Sequence, residues 1–431
     1  MKRPIKQTRP SRNRPTETYN AWQSIAKSAE PNLSGLSSPI ARPHFPVMMK
    51  TVMNVDSMKK NFTIEAATNE DVADIASLLS WAFAFSKARS HEYIINIGIE
   101  TLRLIRGEDR RPVVCAALLE TAHVFHGRPV RAANIAHVAI APERRGQGLA
   151  VPFVDALCEE AKANGAAIAT LFASTRPVYR KAGFELAGHE IIYEAETAAL
   201  PSSSRLAFER VELDDPRLVT AYAEKTLRES GLLTRAAAHW NELRRAPTDA
   251  LAAYLAEGAY LILDMGDKTR LDMRDWHAAS PEAALGLLSF LARFRSVYRM
   301  VRWHGAPQDD LVAAMPDKGW RLAHQEEWLL RVLDPVAALR QRGYHVDQAR
   351  LTLRLGEAAF QVEIDGNRVQ VSEGATGPTV SMQAPAFVQL FTGFRSTSKL
   401  AQYGLLAGDS ADIHRCDQLF AGPPPWVAEH F

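Results

Sequence analysis

The alternation of apolar and polar positions changes period several times along the chain. The run NFTIEAATNEDVADIASLLSWAFAF opens with a short strand, Phe62–Ala66, and passes through Thr68 into a first helical turn rich in acids. Ile75, Leu78, Leu79 and Phe83 then recur at helical spacing and predict one apolar face. A second helical stretch follows, then three strand-like runs, ETLRLIRG, PVVCAALLETAHVF and VRAANIAHVAIAP. Another strand and helix complete a mixed α/β domain reaching to about residue 199.

After PSSSR (201–205), which reads as a linker, the same rhythm returns. LAFERVEL, AYLILDMG, TRLDMRDWHA and YRMVRWHG read as strands. They surround a helix that starts at Ser280-Pro281-Glu282, with cap, proline and acid in the expected order. Residues 206–335 therefore predict a second, diverged copy of the first domain. From about 337 the period becomes two in LTLRLG, AFQVEIDG and NRVQVSEG, and Asp365-Gly366-Asn367 supplies a hairpin turn. TVSM and helical segments around Phe387–Phe391 and Lys399–Leu405 complete a small α+β domain. The predicted division is a basic, disordered leader over 1–60 and ordered domains over 61–200, 201–336 and 337–431.

Charge sharpens the view of the leader. Net charge is +2, but residues 1–60 carry +8 and the remainder −6. The body thus lacks the basic footprint of a nucleic-acid binder. Cys115, Cys158 and Cys416 are odd in number and far apart, which suits reduced thiols and a cytoplasmic setting. No Cys/His pair shows zinc-ligand spacing, so no metal is expected. No apolar run is long enough to span a membrane.

The chemistry concentrates in HVAIAPERRGQGLAVPFVDALCEEAKANG. An apolar strand meets a turn dense in arginine and glycine, and a helix follows with Leu149, Phe153, Leu157 and Ala161 on one face. Gly146 and Gly148 leave backbone amides open to a ligand, and the helix start adds free N–H groups. With Arg144 and Arg145 these form an anion cradle suited to a pyrophosphate. Pro152, beyond the first turn on this reading, is expected to remove a hydrogen bond and kink the helix start.

The sequence Arg145-Gly146-Gln147-Gly148-Leu149-Ala150 resembles the Arg/Gln-x-x-Gly-x-Gly/Ala signature of GNAT acetyltransferases. Downstream, Tyr179-Arg180-Lys181-Ala182-Gly183-Phe184 resembles that fold's Tyr-x-Lys-x-Gly-Phe ending. The resemblance implies an acetyl-CoA site using Val138, Ala139, Ile140, Arg144, Arg145, Gly146, Gln147, Gly148, Leu149, Ala150 and Ser174. The strand bearing Val138–Ile140 would splay from the Leu171–Ser174 strand, leaving an edge for the pantetheine arm. A thiol near pKa ~8.5 and a phenol near ~10 are close enough for proton transfer, so Tyr179 suits a general acid. The alternative is a tyrosine that only packs or hydrogen-bonds beside the cofactor.

Residues 61–431 as a whole resemble the enhanced-intracellular-survival (Eis) family of acetyltransferases. FHGRPVRAANIAHVAIAPERRGQG, EEWLLRVLDPVAALRQRGY and LFAGPPPWVAEHF carry this likeness. It implies an active GNAT domain, a degenerate one without a second CoA loop, a sterol-carrier-like domain and a homohexamer. It also implies that the α-carboxylate of Phe431 serves as general base beside Tyr179. Three prolines limit the conformations of the terminus, with Trp426 and Phe431 as its anchors. Trp81, Phe83, Phe85 and Tyr93 fit either a substrate cleft or the core. Glu429 and His430 fit either contacts to a cationic acceptor or ordinary exposure, and His137 reads as structural. The implied reaction is acetyl transfer from acetyl-CoA to primary amines, as in aminoglycosides or lysine side chains. The alternatives are an apolar-ligand-binding protein working through its third domain, and a regulatory protein-lysine acetyltransferase.

Overall fold

A computed structural model describes residues 63–244 and 250–431. The predicted leader over 1–60 lies outside the described residues. All described residues belong to one compact unit, Lys59–Phe431.

The first copy runs β1 (Glu65–Ala66), α1 (Val72–Phe83), α2 (Lys87–Ile97), β2 (Leu102–Arg106), β3 (Pro112–Phe125), β4 (Arg128–Ile140), α3 (Ala150–Ala163), β5 (Ile168–Phe172), α4 (Arg176–Lys181) and β6 (Glu185–Glu196). The second repeats this order with β7 (Glu209–Val211), α5 (Pro216–Arg228), α6 (Ala237–Leu243), β8 (Leu251–Ala256), β9 (Ala259–Asp264), β10 (Arg270–Ala278), α7 (Pro281–Leu291), β11 (Met300–His304), α8 (Asp310–Ala313) and β12 (Trp320–Val332). Proline after a capping side chain sets several helix starts. Asp215, Ser280 and Asp334 accept from the N–H groups of Arg217, Ala283 and Ala337.

The two copies share one sheet. Its order is β1-β2-β3-β4-β5-β12-β6-β11-β10-β9-β8-β7. Read from either edge inward, corresponding strands of the two copies appear in the same order until the centre. There the last strands are exchanged: β12 pairs with β5 over Trp328–Val332, and β6 pairs with β11 over Ile192–Glu196. Each copy contains a parallel pair, β4 with β5 in the first and β10 with β11 in the second. Loop chemistry separates the copies. β10 turns into α7 through Ala279 and Ser280 alone, without a glycine-rich loop.

The third region holds α9 (Pro335–Gln341), β13 (Gln348–Leu355), β14 (Ala358–Asp365), β15 (Arg368–Glu373), β16 (Thr379–Met382), α10 (Ala384–Thr392), α11 (Thr397–Gln402), β17 (Leu406–Gly408) and α12 (Ser410–Phe420). Its five strands lie in the order β15-β14-β13-β16-β17. Phe387, Phe391 and Phe420 fill a core that continues through Phe125 and Trp328 of the large sheet. The chain then returns to that sheet as β18 (Trp426–Val427), parallel to His189 and Glu190 of β6. Because β12 holds one edge of β6, β18 takes the other edge just beyond the end of β11.

Candidate active site

β4 and β5 pair through only three residues, ending at Asn134 opposite Thr170. Beyond that point β4 keeps its pairing with β3, but with an irregularity. Cys115 faces Ala139 and Ala117 faces Ala136, so β4 holds an extra residue at His137–Val138. This is a β-bulge, and His137 adopts φ 51° within it. The bulge bends β4 away from β5 and opens a wedge where Val138–Ile140 present an edge. Ala139 is fully buried in the core beneath α1, so only its backbone can face a ligand.

At the wedge floor three polar groups meet. Thr170 Oγ1 donates to Asn134 Oδ1 at 2.8 Å, and His123 Nε2 lies 2.9 Å from the same oxygen. His123 Nδ1 pairs with the Gly231 carbonyl at 2.6 Å, and burial pushes the imidazole pKa down. No sequence motif marked these residues.

The arginine- and glycine-rich turn lies at the open end of β4. Gly146 and Gly148 have φ 76° and 75°, and a Cβ at either would meet nothing within 4 Å. Both therefore need glycine for backbone reasons, and both border open space. Arg145 Nε donates back to the Ile140 carbonyl at 3.2 Å, and Gln147 Nε2 to the Glu143 carbonyl at 3.1 Å. Arg145, Gly146, Gln147 and Gly148 are exposed, while Arg144, Leu149 and Ala150 are half-buried. Helix α3 then runs without interruption from Ala150, which corrects the expected kink at Pro152. Pro152 is the third helical residue, where an N–H has no acceptor within the helix, so no bond is lost. Phe153 N–H donates to Leu149 O at 3.2 Å straight after it.

Tyr179 sits on short helix α4, which closes by a reciprocal C-terminal motif. Phe184 N–H donates to Tyr179 O and Gly183, at φ 78°, donates to Arg180 O. The Tyr179 ring is buried with Leu171, Phe153 and Phe184, and burial pushes the phenol up to about 12. Ser174 is exposed in the turn between β5 and α4.

The chain's last residues reach the same region from the other side. Trp426 is buried, its N–H donating to Ser230 O and its Nε1–H to Glu229 Oε2 at 2.8 Å. Glu429 Oε1 accepts from Arg235 Nε at 2.6 Å, and the Arg235 side chain is itself buried, stacked on Tyr222 and paired with Asp275. The His430 ring stacks on Phe172 at 4.1 Å, and its Nδ1–H donates to Glu190 Oε2 at 3.0 Å. Burial opposes a charge on His430, but Glu190, with Glu326 nearby, raises its pKa. Burial likewise opposes ionisation of Glu190, yet hydrogen bonds from His304 and His430 take it down to about 2. The Phe431 ring lies 5.1 Å from Phe172 and 6.2 Å from His123, and touches the cores beneath α1 and of the third region. Tyr179 packs with Leu171 and the tail with Phe172, successive residues of β5 whose side chains point to opposite faces of the sheet.

Among the aromatic candidates, Phe83, Phe85 and Tyr93 surround His137 with ring centroids 5.0, 5.6 and 4.4 Å away. Burial first, then the positive His430 and Arg89, lower the His137 pKa to about 4. Trp81 stands apart, 61% exposed. Metal-donor atoms of Glu190, His324 and Glu326 come within 4.8 Å of one another, a grouping that spacing in sequence could not reveal.

Known proteins resemble this chain in three stretches. The acetyltransferase (GNAT) domain profile matches residues 63–187, a second acetyltransferase (GNAT) domain profile matches 231–332, and the sterol carrier protein domain profile matches 313–428. A Streptomyces griseus protein described as an uncharacterized N-acetyltransferase is 24% identical over 72% of this chain and 84% of its own length. A GCN5-related N-acetyltransferase from Anabaena variabilis superposes with TM-score 0.80 and 27% identity over 86% of this chain and all of its own. Eis1 from Mycobacterium abscessus shares the fold at TM-score 0.70 and 18% identity, covering 86% and 100% of the two chains. The chain is an N-acetyltransferase built from tandem GNAT domains and a sterol-carrier-like domain. GNAT acetyltransferases use acetyl-CoA as co-substrate.

Proposed function

We propose that this N-acetyltransferase works as the Eis family does, moving acetyl from acetyl-CoA directly to a primary amine under the control of its own terminal carboxylate. The observation that carries this reading is the seat of Phe431 against Phe172 and His123, where β4 and β5 diverge. In it, the pyrophosphate rests on the Arg144–Ala150 turn and the first turn of α3. The pantetheine arm adds to the Val138–Ile140 edge and Ser174 borders it. Residues 61–200 carry the reaction, 201–336 buttress the wedge through β12, which pairs with β5, and 337–431 deliver the tail.

Chemistry limits what each group does. A terminal carboxyl titrates near ~3.5 and an alkylammonium near ~10.4, a gap worth roughly 9 kcal/mol. The Phe431 carboxylate therefore orients the ammonium and relays its proton through water as the amine attacks the thioester carbon. Carbon–nitrogen bond formation and carbon–sulfur cleavage leave a thiolate for Tyr179 to protonate. Burial holds the Tyr179 phenol at about 12, so it stays protonated and able to donate, although its gap to a thiol near ~8.5 is wider than for a free phenol. Phe85 and Tyr93 supply an aromatic wall, with Trp81, Glu429 and His430 as acceptor contacts at the rim. A homohexamer belongs to the same reading and is checked by light scattering.

The test compares the chain ending at Phe431 with one extended by a C-terminal tag, and with Tyr179→Phe. Thiol release is followed across polyamines, aminoglycosides and lysine peptides, with acetyl-CoA affinity by calorimetry. The expected result is loss of transfer with affinity for acetyl-CoA retained. Full activity in the tagged chain would reject the carboxylate's role, and failure to bind acetyl-CoA would reject the site.

A further inference from the structure

Two carboxylates face each other across the exchanged strands. Glu190 on β6 and Glu326 on β12 are direct register partners. Like charges in that position repel, so positive charge between them is favoured; the His430 Nδ1–H supplies it here, and a metal ion would take its place with release of that proton. Three imidazoles from separate segments surround the pair. His324 stands two residues before Glu326 on the same face of β12, its Nε2 3.5 Å from Glu326 Oε2. His430 Nδ1 lies 3.0 Å from Glu190 Oε2 and 3.8 Å from Glu326 Oε2. His304 on β11 holds the remaining oxygen, Glu190 Oε1, at 3.0 Å.

We propose that Glu190, His324 and Glu326, with His430 as fourth donor, bind a zinc-type divalent cation. The donor atoms of the first three lie within 4.8 Å of one another. Tetrahedral bonds of ~2.0–2.2 Å set neighbouring donors about 3.4 Å apart; the His324–Glu326, His430–Glu190 and His430–Glu326 separations of 3.5, 3.0 and 3.8 Å bracket that value, and the first three donors, within 4.8 Å, close in on the ion. Two imidazoles with two carboxylates suit zinc and its transition-metal neighbours over magnesium or calcium, which favour all-oxygen shells. The His304 contact is the outer support expected of a ligating carboxylate, fixing which oxygen points inward. His324 and His430 side chains are 48% and 47% exposed, which gives an ion a way in. The three cysteines are buried and offer no competing exposed thiol.

The ion would bind the penultimate residue of the chain and so restrain the peptide that bears Phe431. Slower acetyl transfer follows, a consequence that rests on the proposed role of the terminus, whereas binding itself does not. Zinc is titrated calorimetrically into the full, metal-stripped chain without CoA, for wild type, His324→Ala and Glu326→Gln. One saturable event is expected in wild type, weakened about tenfold or more in each variant. Cobalt should give the intense visible band of a four-coordinate site in wild type only. Equal zinc affinity in wild type and His324→Ala, or the pale spectrum of six-coordinate cobalt, would overturn the site. Acetylated product is then followed with zinc and after chelation. Reversible inhibition that His324→Ala escapes, at an unchanged basal rate, supports the restraint. Binding without inhibition upholds the site and counts against the role given to the terminus.

Discussion

A single methyl group at Gly188 should separate the seat of the tail from the rest of the fold. Gly188 precedes His189, the register partner of Trp426, and its backbone does not have the positive φ that would demand glycine. A Cβ there would stand 2.6 Å from Pro425 O and 3.0 Å from Trp328 Cε3. Trp328 is fully buried and packed against Phe125, so it cannot yield. The tail must retreat instead. Moving Pro425 O from 2.6 Å to the 3.4 Å where ordinary contact begins is a shift of about 0.8 Å. Overpacking of this kind costs about 1–3 kcal/mol, less than a domain's stability, so the fold should survive. Misplacement of a reacting group by ~1 Å can cost about a hundredfold in rate, so kcat should fall ten- to a hundredfold, roughly. Steady-state kinetics with a small primary amine give kcat, and calorimetry gives acetyl-CoA affinity. Gly188→Ala with kcat within about twofold of wild type would refute the idea that the seat on β6 governs transfer.

Three further outcomes are expected. Gly148→Val forces a β-branched residue to φ near 75° and fills open space at the helix start, so acetyl-CoA affinity measured by calorimetry should fall about tenfold or more. Arg235→Ala leaves Asp275 buried with Lys225 as its remaining cation beside the Tyr260 hydroxyl and strips Glu429 of its partner, and should cost about 3–5 kcal/mol in urea unfolding. Burial lifts the Asp309 carboxyl to about 7, against an ordinary 3.8. An acid raised in the fold is penalised only when ionised, so this group's cost is absent below its ordinary 3.8, grows as pH rises towards 7 and is constant above it. Asp309→Asn should therefore remove on the order of 3–4 kcal/mol of stability loss between pH 4 and 8, seen as a flatter urea midpoint.

What the sequence made legible was local. The glycine-arginine turn, the cap at Ser280 and the Gly183 stop are short-range, because the residues that cause them lie within one turn of the structure they cause. The repeat was visible as rhythm for the same reason. Strand exchange was not, since nothing in Trp328–Val332 specifies β5 over β11, the matching strand of its own copy, as neighbour. His137 gave no sign of a bulge, because φ 51° there follows from β3 register. β8, β12, β17, α12 and β18 also escaped. β18 is two residues long and follows three prolines, a composition that argues against a strand. The aromatic run split according to tertiary position: Phe83 and Tyr93 turned inward onto His137, and Trp81 turned out. Glu190 drew no notice, because its partners lie in other strands and at the chain end.

The exchange of β6 and β12 also sets a clock on synthesis. When Phe172 leaves the ribosome, the outer edge of β5 has no strand beside it, and its partner segment ends only at Val332. At 5–20 residues per second that wait is on the order of ten seconds. For that interval the nascent first copy carries an open, apolar strand edge, the kind of surface chaperones hold and neighbouring chains capture. Polysome crowding should therefore set the yield of this protein, and a slower codon run between the two copies would lengthen the exposure.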